Sequence, residues 1–279
     1  MNGTVALSQQ FRRGLARLFS VFQAPDAATS NALACSLLVQ DATTLLSGTY
    51  GSGKTLFVQL ARHTFFAPNG DGIPDFGWVA CTQDLTPMDT LFSIDLARLT
   101  QGEEVVHPRA IVTARLKFVN EVQRASSLVY NALLPLFSER KVSFRDRDFT
   151  SPPFLAFLDA NPHDAGSSEM PAAFLDRIDF SIRIPLVSAE GLSRVIASAT
   201  ETGPARWNDL AGLAQPALRG PEMEALWHDV RGVRIGDEVR MIAVLVAAHL
   251  QRCVRTDRSL AGPDFGIFFA SPGNADSRR

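Results

Sequence analysis

The sequence predicts an α/β protein in which a parallel sheet is covered by helices on both faces and is followed by a smaller helical domain. Between the first helix and about residue 186, short apolar stretches typical of strands alternate with stretches of helical periodicity, and this alternation favours a parallel sheet. After Pro185 the apolar residues recur at helical spacing instead. We therefore expect an α/β core over residues 1–186 and a helical lid domain over residues 187–279.

The first predicted element is an amphipathic helix, because apolar residues recur at helical spacing near the N-terminus: Phe11, Leu15, Leu18, Phe19 and Phe22. Strand candidates follow at residues 43–48 (TTLLSG), 77–82 (GWVACT), 115–122 (RLKFVNEV), 153–161 (PFLAFLDAN) and 179–185 (DFSIRIP). Pro135 lies inside a helical stretch, where it predicts a bend or a break. Residues 141–154 alternate apolar and charged side chains, which predicts a hairpin.

Composition sets broad limits on function. With 279 residues and 46% hydrophobic content, the chain can bury a large core. The net charge is −2 with acidic and basic residues intermixed, so the sequence predicts no basic face for nucleic acid. The longest apolar run, residues 241–250, is too short to span a bilayer, and the N-terminus lacks an apolar signal core. Cys35, Cys81 and Cys253 are isolated, so we expect buried free thiols in a reducing, cytoplasmic environment.

Residues 48–55 (GTYGSGKT) match the pattern of a phosphate-binding loop, and they lie between a predicted strand and a predicted helix. Glycines in such a loop let backbone N–H groups turn toward phosphates, and the helix that follows adds the positive end of its dipole. A flexible glycine-rich turn is the alternative, and the flanking elements disfavour it. The predicted nucleotide-binding residues are Gly48, Gly51, Ser52, Gly53, Lys54 and Thr55. Lys54 is expected to reach the β and γ phosphates, and the Thr55 hydroxyl to bind Mg²⁺.

A second candidate part of the site lies about 65 residues further along the chain. The apolar strand candidate at residues 115–122 ends in Asn120 and Glu121. In folds with this kind of loop, the end of such a strand reaches the metal and the attacking water. We therefore expect these two side chains to face the phosphate loop.

Several segments in the same order resemble the MoxR family of AAA+ ATPases, including its RavA-like branch. They are residues 82–89 (TQDLTPMD), 120–142 (NEVQRASSLVYNALLPLFSERKV) and 153–182 (PFLAFLDANPHDAGSSEMPAAFLDRIDFSI), together with the phosphate loop. The resemblance covers almost the whole chain. It implies an AAA+ P-loop NTPase core, a small C-terminal helical lid, and ATP and Mg²⁺ as cofactors.

The resemblance also implies roles for three residues. Glu121 would be the general base that orients water, and its alternative is a solvated or salt-bridged glutamate. Asn161 would be the sensor of the γ phosphate, although Asn-Pro by itself only favours a turn. Arg177 would be an arginine finger presented to a neighbouring subunit of a ring, which is a hexamer in the family; its alternative is an intramolecular pair with Asp176 or Asp179.

Two positions depart from the family pattern. Asn120 stands where the family has an aspartate that holds a water of the Mg²⁺ shell, and a neutral amide binds a hard cation more weakly. In the lid, Gly273 falls where the family has a sensor arginine, and Arg278 is a poor substitute by position. Three alternatives stay open for the sensor arginine: the protein has none, it stands at another position, or it lies beyond the end of the given sequence.

Asp159 offers a compensation for Asn120. It lies two residues before Asn161, so both side chains should point to one face of the strand. We hypothesise that its carboxylate contributes to the outer shell of the metal. The alternative is a structural acid bonded to backbone or to a neighbouring Lys or Arg.

The leading functional prediction is a MoxR-type ATPase and chaperone that hydrolyses ATP with Mg²⁺, as a hexameric ring, to remodel or load a protein partner. The resemblance suggests a partner with a von Willebrand factor A domain. The alternative is a nucleotide-binding scaffold with weak or no ATPase activity, which Asn120 and the missing lid sensor favour. A nucleic-acid motor resembling the McrB restriction subunits is disfavoured by the acidic net charge.

Overall fold

The computed structural model describes residues 2–22, 26–68, 70–161, 164, 170–186, 193 and 216–245. The strands named in this part of the chain are β1 (Thr43–Ser47), β2 (Phe76–Ala80), β3 (Phe92–Ile94), β4 (Val106–Pro108), β5 (Leu116–Asn120), β6 (Lys141–Phe144), β7 (Arg147–Thr150), β8 (Leu155–Ala160) and β9 (Phe180–Arg183). The named helices are α1 (Asn2–Val21), α2 (Ala27–Leu38), α3 (Lys54–Phe65), α4 (Pro87–Leu91), α5 (Leu96–Leu99), α6 (Ala110–Thr113), α7 (Ser127–Glu139), α8 (Ala172–Leu175) and α9 (Gly220–Arg231).

The centre of the fold is a five-stranded sheet in the order β2, β5, β8, β1, β9. Every neighbouring pair of strands in it is parallel. The prediction of a parallel sheet is thereby confirmed, and each predicted strand contributes one of its members. Because parallel strands run in the same direction, the C-terminal ends of β1, β5 and β8 meet at one edge of the sheet.

Alternate residues of the central strands face two buried layers. Phe118 of β5 and Phe157 of β8 pack in the layer that contains α1, α2 and α3. Their neighbours Val119 and Leu158 pack in the layer that contains α7. Phe57 of α3 meets Phe157 edge to face, with ring centroids 5.6 Å apart. Helices therefore cover both faces of the sheet, as predicted.

The amphipathic first helix is confirmed as α1, which buries Phe11 and Leu18. The predicted hairpin is confirmed as the antiparallel pair β6–β7. Helix α7 continues through Pro135 without a break. It ends one turn later, where the Arg140 N–H donates to the carbonyls of Pro135 and Leu136. A second antiparallel pair, β3–β4, was not predicted from the sequence.

Part of the predicted helical lid packs on the core. In α9, Trp227 is fully buried, and its Nε1–H donates to the carbonyl of Leu37 at 2.9 Å. Trp227 also contacts the ring of Phe66, with centroids 6.1 Å apart. Residues 237–245 are helical as well. The boundary at residue 186 stays a prediction. Residues 187–215, where the pattern after Pro185 predicts helices, lie outside the described residues apart from Ser193, as do Gly273 and Arg278.

The cysteine predictions have different outcomes. Cys81 is buried, as expected, but Cys35 is exposed, so the prediction that it is buried is wrong. In α2 the neighbouring Leu33 and Leu37 turn toward the core, and Cys35 lies between them on the outer side. Cys253 lies outside the described residues. None of the helices described here is both long enough and apolar enough to cross a membrane.

Candidate functional site

The glycine-rich loop connects β1 to α3, which is the position that the sequence predicts. Gly53 precedes the first residue of α3 and has φ +86°, a left-handed conformation that glycine adopts without strain. Gly48 packs against β9, where an added Cβ would lie 2.4 Å from the carbonyl oxygen of Ile184. Glycine at these two positions thus permits both the turn into the helix and the close approach of the loop to the sheet.

A cavity of about 360 Å³ opens above the C-terminal ends of the central strands. Its lining combines the loop with the ends of β5 and β8: Tyr50, Gly51, Ser52, Gly53, Lys54, Thr55, Leu56, Asn120, Glu121, Asp159 and Asn161. The structure therefore brings together every predicted site residue except Gly48, which supports the base of the loop, and Arg177.

Lys54 lies at the base of this cavity and is 6% exposed. Its Nζ donates to the carbonyl oxygens of Gly48 at 2.7 Å and Thr49 at 3.1 Å. It also lies 3.6 Å from Oδ1 of Asp159. The ammonium group is thus held by the loop itself, beside the space that the cavity leaves for a ligand.

Two hydroxyl groups of the loop also face the cavity. Ser52 is buried, and its Oγ has no hydrogen-bond partner within the described part of the chain. An unpartnered buried hydroxyl is costly, so this atom is a candidate ligand contact. Thr55 lines the cavity with Asp159, and its hydroxyl favours the charged form of that carboxyl.

Asp159 is 7% exposed at the end of β8. Burial raises the pKa of its carboxyl above the ordinary value, and the negative charge of Glu121 acts in the same direction. Lys54 and Thr55 oppose this shift because they stabilise the charged form. The carboxylate therefore lies among the phosphate-loop cation, the predicted metal-binding hydroxyl and a second acid.

Glu121 follows the last residue of β5 in a left-handed conformation, with φ 54° and ψ 46°. Such a conformation costs about 1–2 kcal/mol for a residue with a side chain, and strained residues of this kind cluster at functional sites. A 3-10 turn, Val122–Arg124, begins directly after it. The turn places Nη1 of Arg124 2.9 Å from Oε2 of Glu121, so the predicted base lines the cavity and also forms a salt bridge.

Arg124 is a site residue to which sequence reasoning gave no role. Its Nε lies 2.6 Å from Oδ2 of Asp164, and its Nη2 donates to the Tyr50 hydroxyl at 3.1 Å. One guanidinium therefore links the phosphate loop, the end of β5 and the segment after β8. The spacing of Glu121 and Arg124, three residues apart, is the sequence signal that could have found the pair.

Asn161 directly follows β8 and is 5% exposed. Its carbonyl accepts from the Asp164 N–H at 3.2 Å, and the carbonyl of the preceding Ala160 accepts from the Gly48 N–H at the same distance. The turn after the strand is thus joined to the base of the phosphate loop. Asn161 therefore begins a turn, as Asn-Pro favours, and it also lines the cavity.

Arg177 lies away from the cavity, in the turn between α8 and β9. The alternative pair with Asp176 or Asp179 is not found among the residues described. Oδ2 of Asp179 instead accepts from the Thr43 N–H at 2.8 Å. The guanidinium of Arg177 is half-buried and forms no ion pair within the described ranges.

The donors at the cavity suit a small hard cation. Carboxylates, an amide oxygen and a hydroxyl converge here, and Mg²⁺ takes one or two carboxylates together with phosphate oxygens. Groups of three or more His, Cys, Asp or Glu side chains in a metal-binding arrangement are absent from the described ranges. A magnesium ion held partly by a nucleotide does not require such a group.

Cys81 follows β2 at the same edge of the sheet. Its N–H donates to the carbonyl of Asn120 at 2.9 Å. Burial, with a smaller effect of the Glu121 charge, raises the pKa of the Cys81 thiol to about 12. The Cys81 thiol therefore lacks the lowered pKa that reactive cysteines have.

Comparison with known proteins finds a matching family model and two similar MoxR proteins. A family model described as "AAA domain (dynein-related subfamily)" matches residues 43–178, which include the loop and both strand ends. The protein MoxR of Paracoccus denitrificans is 29% identical over 150 residues, which cover 52% of this chain and 42% of that protein. Chaperone MoxR1 of Mycobacterium tuberculosis is 34% identical over 163 residues, which cover 57% and 41% of the two chains.

The fold also matches a crystal structure of a suspected ATPase from Cytophaga hutchinsonii. The TM-score is 0.71 at 17% identity, and the match covers 99% of this chain and 79% of that one. At this identity the likeness concerns the fold. The alignment with the curated relatives spans about two fifths of their length.

Proposed function

We propose, from the membership of this chain in the MoxR family of AAA+ ATPases, that it binds ATP with Mg²⁺ and hydrolyses the terminal phosphate. One observation carries this proposal. The phosphate loop, the Asn120–Glu121 end of β5 and the Asp159–Asn161 end of β8 line one cavity of about 360 Å³. The cavity thus joins a phosphate-binding element to side chains suited to acid–base and metal chemistry.

The loop is assigned to bind the phosphates. Backbone N–H groups of Gly51 and Gly53 and the start of α3 favour negative charge at this place. Lys54, now bonded to loop carbonyls, has its ammonium group within the cavity and would turn toward the β and γ phosphates. The unpartnered Ser52 hydroxyl is available to the same ligand.

Thr55 and Asn120 are the residues that would hold Mg²⁺, directly or through its waters. When bound, the ion offsets the negative charge that develops on the phosphate oxygens. The Asn120 amide oxygen is neutral, so it holds such an ion more weakly than a carboxylate does. We infer that the metal is bound mainly together with the nucleotide rather than by the protein alone.

Glu121 is assigned as the general base. Its carboxylate accepts a proton from water while the water oxygen forms a bond to the γ phosphorus. The bond from that phosphorus to the bridging oxygen breaks, and ADP leaves with the electron pair. Asn161 would orient the water and the γ phosphate by hydrogen bonds from its side-chain amide.

Arg177 is assigned to the nucleotide of a neighbouring subunit, because it lies away from the cavity of its own chain. A guanidinium supplied in this way stabilises charge in the transition state. The assignment requires a ring, and we propose a hexamer. One relative is named a chaperone, and on that basis the proposal extends to a protein client, with a von Willebrand factor A domain as the partner type that the family resemblance suggests.

The second candidate function is a nucleotide-binding scaffold that turns over slowly or not at all. The observation that favours it is Asn120 at the end of β5, where a carboxylate would serve the metal better. The salt bridge between Glu121 and Arg124 also occupies the predicted base. Binding without turnover would follow if neither group became available.

The test is phosphate release at saturating ATP and Mg²⁺, with nucleotide affinity measured alongside. We expect Glu121→Gln to lower turnover by about 100-fold or more, because the base is lost, and to change affinity by less than about threefold. Lys54→Ala should abolish binding. Glu139→Gln, an exposed acid at the end of α7, is the matched control and should have no effect.

The outcomes separate the two candidates. Binding that depends on Lys54, with wild-type turnover no higher than that of Glu121→Gln, would support the scaffold. No binding in the wild type would contradict both candidates. Turnover that depends on both Glu121 and Arg177, lost in Arg177→Ala and restored when subunits carrying Glu121→Gln and Arg177→Ala are mixed, would support a shared site.

A further inference from the structure

Asn120 and Asp159 occupy adjacent positions on neighbouring strands. In the parallel pair β5–β8, Val119 lies opposite Leu158. One residue further along each strand come Asn120 and Asp159. Side chains alternate along a strand, so these two lie on the face that carries Phe118 and Phe157. That is the face covered by α3, the helix that begins with Lys54.

The carboxylate of Asp159 therefore lies inside the cavity rather than on the outside of the sheet. It lines the cavity together with Asn120 and Thr55. Thr55 is the residue whose hydroxyl a phosphate loop of this kind offers to Mg²⁺. An acid that lines the same cavity as this hydroxyl is within the surroundings of the metal position.

Lys54 is an ion-pair partner of Asp159, as the alternative for this acid expects, but the pair is not closed by a short hydrogen bond. The distance between Lys54 Nζ and Asp159 Oδ1 is 3.6 Å, which is longer than a hydrogen bond. Two loop carbonyls already accept from the same ammonium at 2.7 and 3.1 Å. The nearly buried carboxylate of Asp159 therefore has an ion-pair partner at 3.6 Å and oxygen lone pairs that remain for a further cation.

We propose that Asp159 supplies the carboxylate by which this site holds the divalent cation of the nucleotide, while the adjacent Asn120 contributes a neutral oxygen. The inference rests on the proposed function, because it concerns a metal that arrives with ATP. In such sites the acid usually stands at the end of β5. In this chain it stands near the end of the neighbouring strand, β8. The cavity therefore has the same number of carboxylates as a site with an aspartate at the end of β5.

The experiment measures how much Mg²⁺ contributes to nucleotide binding. The affinity for a fluorescent ATP analogue is determined in excess Mg²⁺ and again in EDTA, and the ratio of the two affinities is the metal contribution. We expect Asp159→Asn to lower this ratio by about tenfold or more, in line with the loss of an outer-shell metal partner. The affinity in EDTA should stay unchanged or improve, because a negative charge near the phosphates is removed.

The decisive variant exchanges the two side chains. In Asn120→Asp/Asp159→Asn the carboxylate is placed on β5 and the amide on β8, so the composition of the site is unchanged. We expect the ratio to return to within about threefold of the wild type, and the two substitutions to be strongly non-additive. Asp75→Asn, an acid-to-amide change outside the cavity that disrupts only the pair with Arg62, should leave the ratio unchanged.

If Asp159→Asn fails to fold, the exchanged double variant still tests the inference, because it keeps one carboxylate in the cavity beside Lys54. Binding of Mn²⁺ to the nucleotide complex, followed by electron paramagnetic resonance, gives a second readout that does not depend on turnover. A change in the Mn²⁺ spectrum of Asp159→Asn, reversed in the exchanged variant, is the expected result.

Three results would overturn the inference. An unchanged ratio in Asp159→Asn would show that the acid does not serve the metal. An equal loss of affinity in Mg²⁺ and in EDTA would show that it acts through Lys54 instead. A low ratio in the exchanged variant would show that position matters more than the carboxylate. Absence of nucleotide binding in the wild type would overturn the proposed function itself and is distinguishable from all three.

Discussion

Strand β5 carries charged side chains at both of its ends, and the two ends are built differently. Before the strand, Arg115 lies between two acids, with Nε 2.5 Å from Oε1 of Glu224 and Nη2 2.6 Å from Oδ2 of Asp71. After the strand, Asn120 and Glu121 face the large cavity. The cavity beside Arg115 measures about 10 Å³, and we call this end of β5 the closed end. The cavity at the other end measures about 360 Å³, and we call that end the open end.

The charged side chains around Arg115 stabilise the fold, whereas those around Glu121 face a cavity large enough for a ligand. A space of about 10 Å³ is at most the room of one water molecule, and Arg115 is closely enclosed, since a Cβ on Gly220 would lie 2.6 Å from its Cδ. Lys117, in the middle of the strand, is fully buried and donates to the carbonyls of Val112 and Ala114. Burial of an ionisable side chain alone therefore does not indicate a site; a cavity that can admit a partner is also needed.

The largest effect on stability is expected at the closed end. Arg115→Met removes a guanidinium that pairs two partly buried acids, so we expect the free energy of unfolding to fall by about 2–4 kcal/mol. Nucleotide affinity of the folded protein should stay unchanged. Urea denaturation measures the loss. Arg98→Met, which removes an exposed pair with Glu103, is the control and should cost less than about 1 kcal/mol.

The open end should respond in the opposite way. Arg124→Ala removes contacts to Glu121, Asp164 and Tyr50. The Glu121 pair is partly exposed, so its loss should change stability by less than about 1 kcal/mol. Turnover should fall by about tenfold or more, because the base is no longer held in one orientation. A rise in turnover would instead show that Arg124 holds Glu121 away from the water.

A smaller effect, with a gain, is expected at Asn120. The variant Asn120→Asp adds a second carboxylate beside Asp159, which should strengthen binding of the metal and raise turnover by about threefold to tenfold. Phosphate release at low Mg²⁺ concentration measures the gain. Asn131→Asp, on the exposed face of α7, is the matched amide-to-acid control. No gain at Asn120 would indicate that Asp159 already satisfies the site.

The sequence predicted the open end better than the closed end. The phosphate loop is a local pattern of eight residues, its strand is recognisable as a short apolar stretch, and its helix from periodicity. The hypothesis that Asp159 compensates for Asn120 followed from the family resemblance and from alternation along strands. These features are local or recurrent, so they can be inferred without coordinates.

The missed features depend on distant or unusual geometry. Arg115 pairs with Asp71 and Glu224, which are separated from it by 44 and 109 positions in the chain. No local pattern indicates such partners. Arg124 also bonds to Tyr50 and Asp164, which are separated from it by 74 and 40 positions, and its spacing from Glu121 does not indicate these two contacts. Strands β3 and β4 have three residues each, too few for alternation to be detected.

Cysteine reactivity tests the packing at the open end and has the smallest expected effect. Cys81, beside Asn120 and Glu121, has a thiol pKa of about 12 and is buried, so at pH 8 it should remain a protonated, unreactive thiol. Cys35 is exposed on α2 and should react. We therefore expect Cys35→Ser to remove one label in mass spectra of the native protein after treatment with a maleimide. Cys81→Ser should leave the number of labels unchanged, whatever the contribution of Cys253. Labelling that is lost in Cys81→Ser would mean that the edge of the sheet opens enough to expose the thiol, and protection of that label by ATP would then place the opening at the nucleotide cavity.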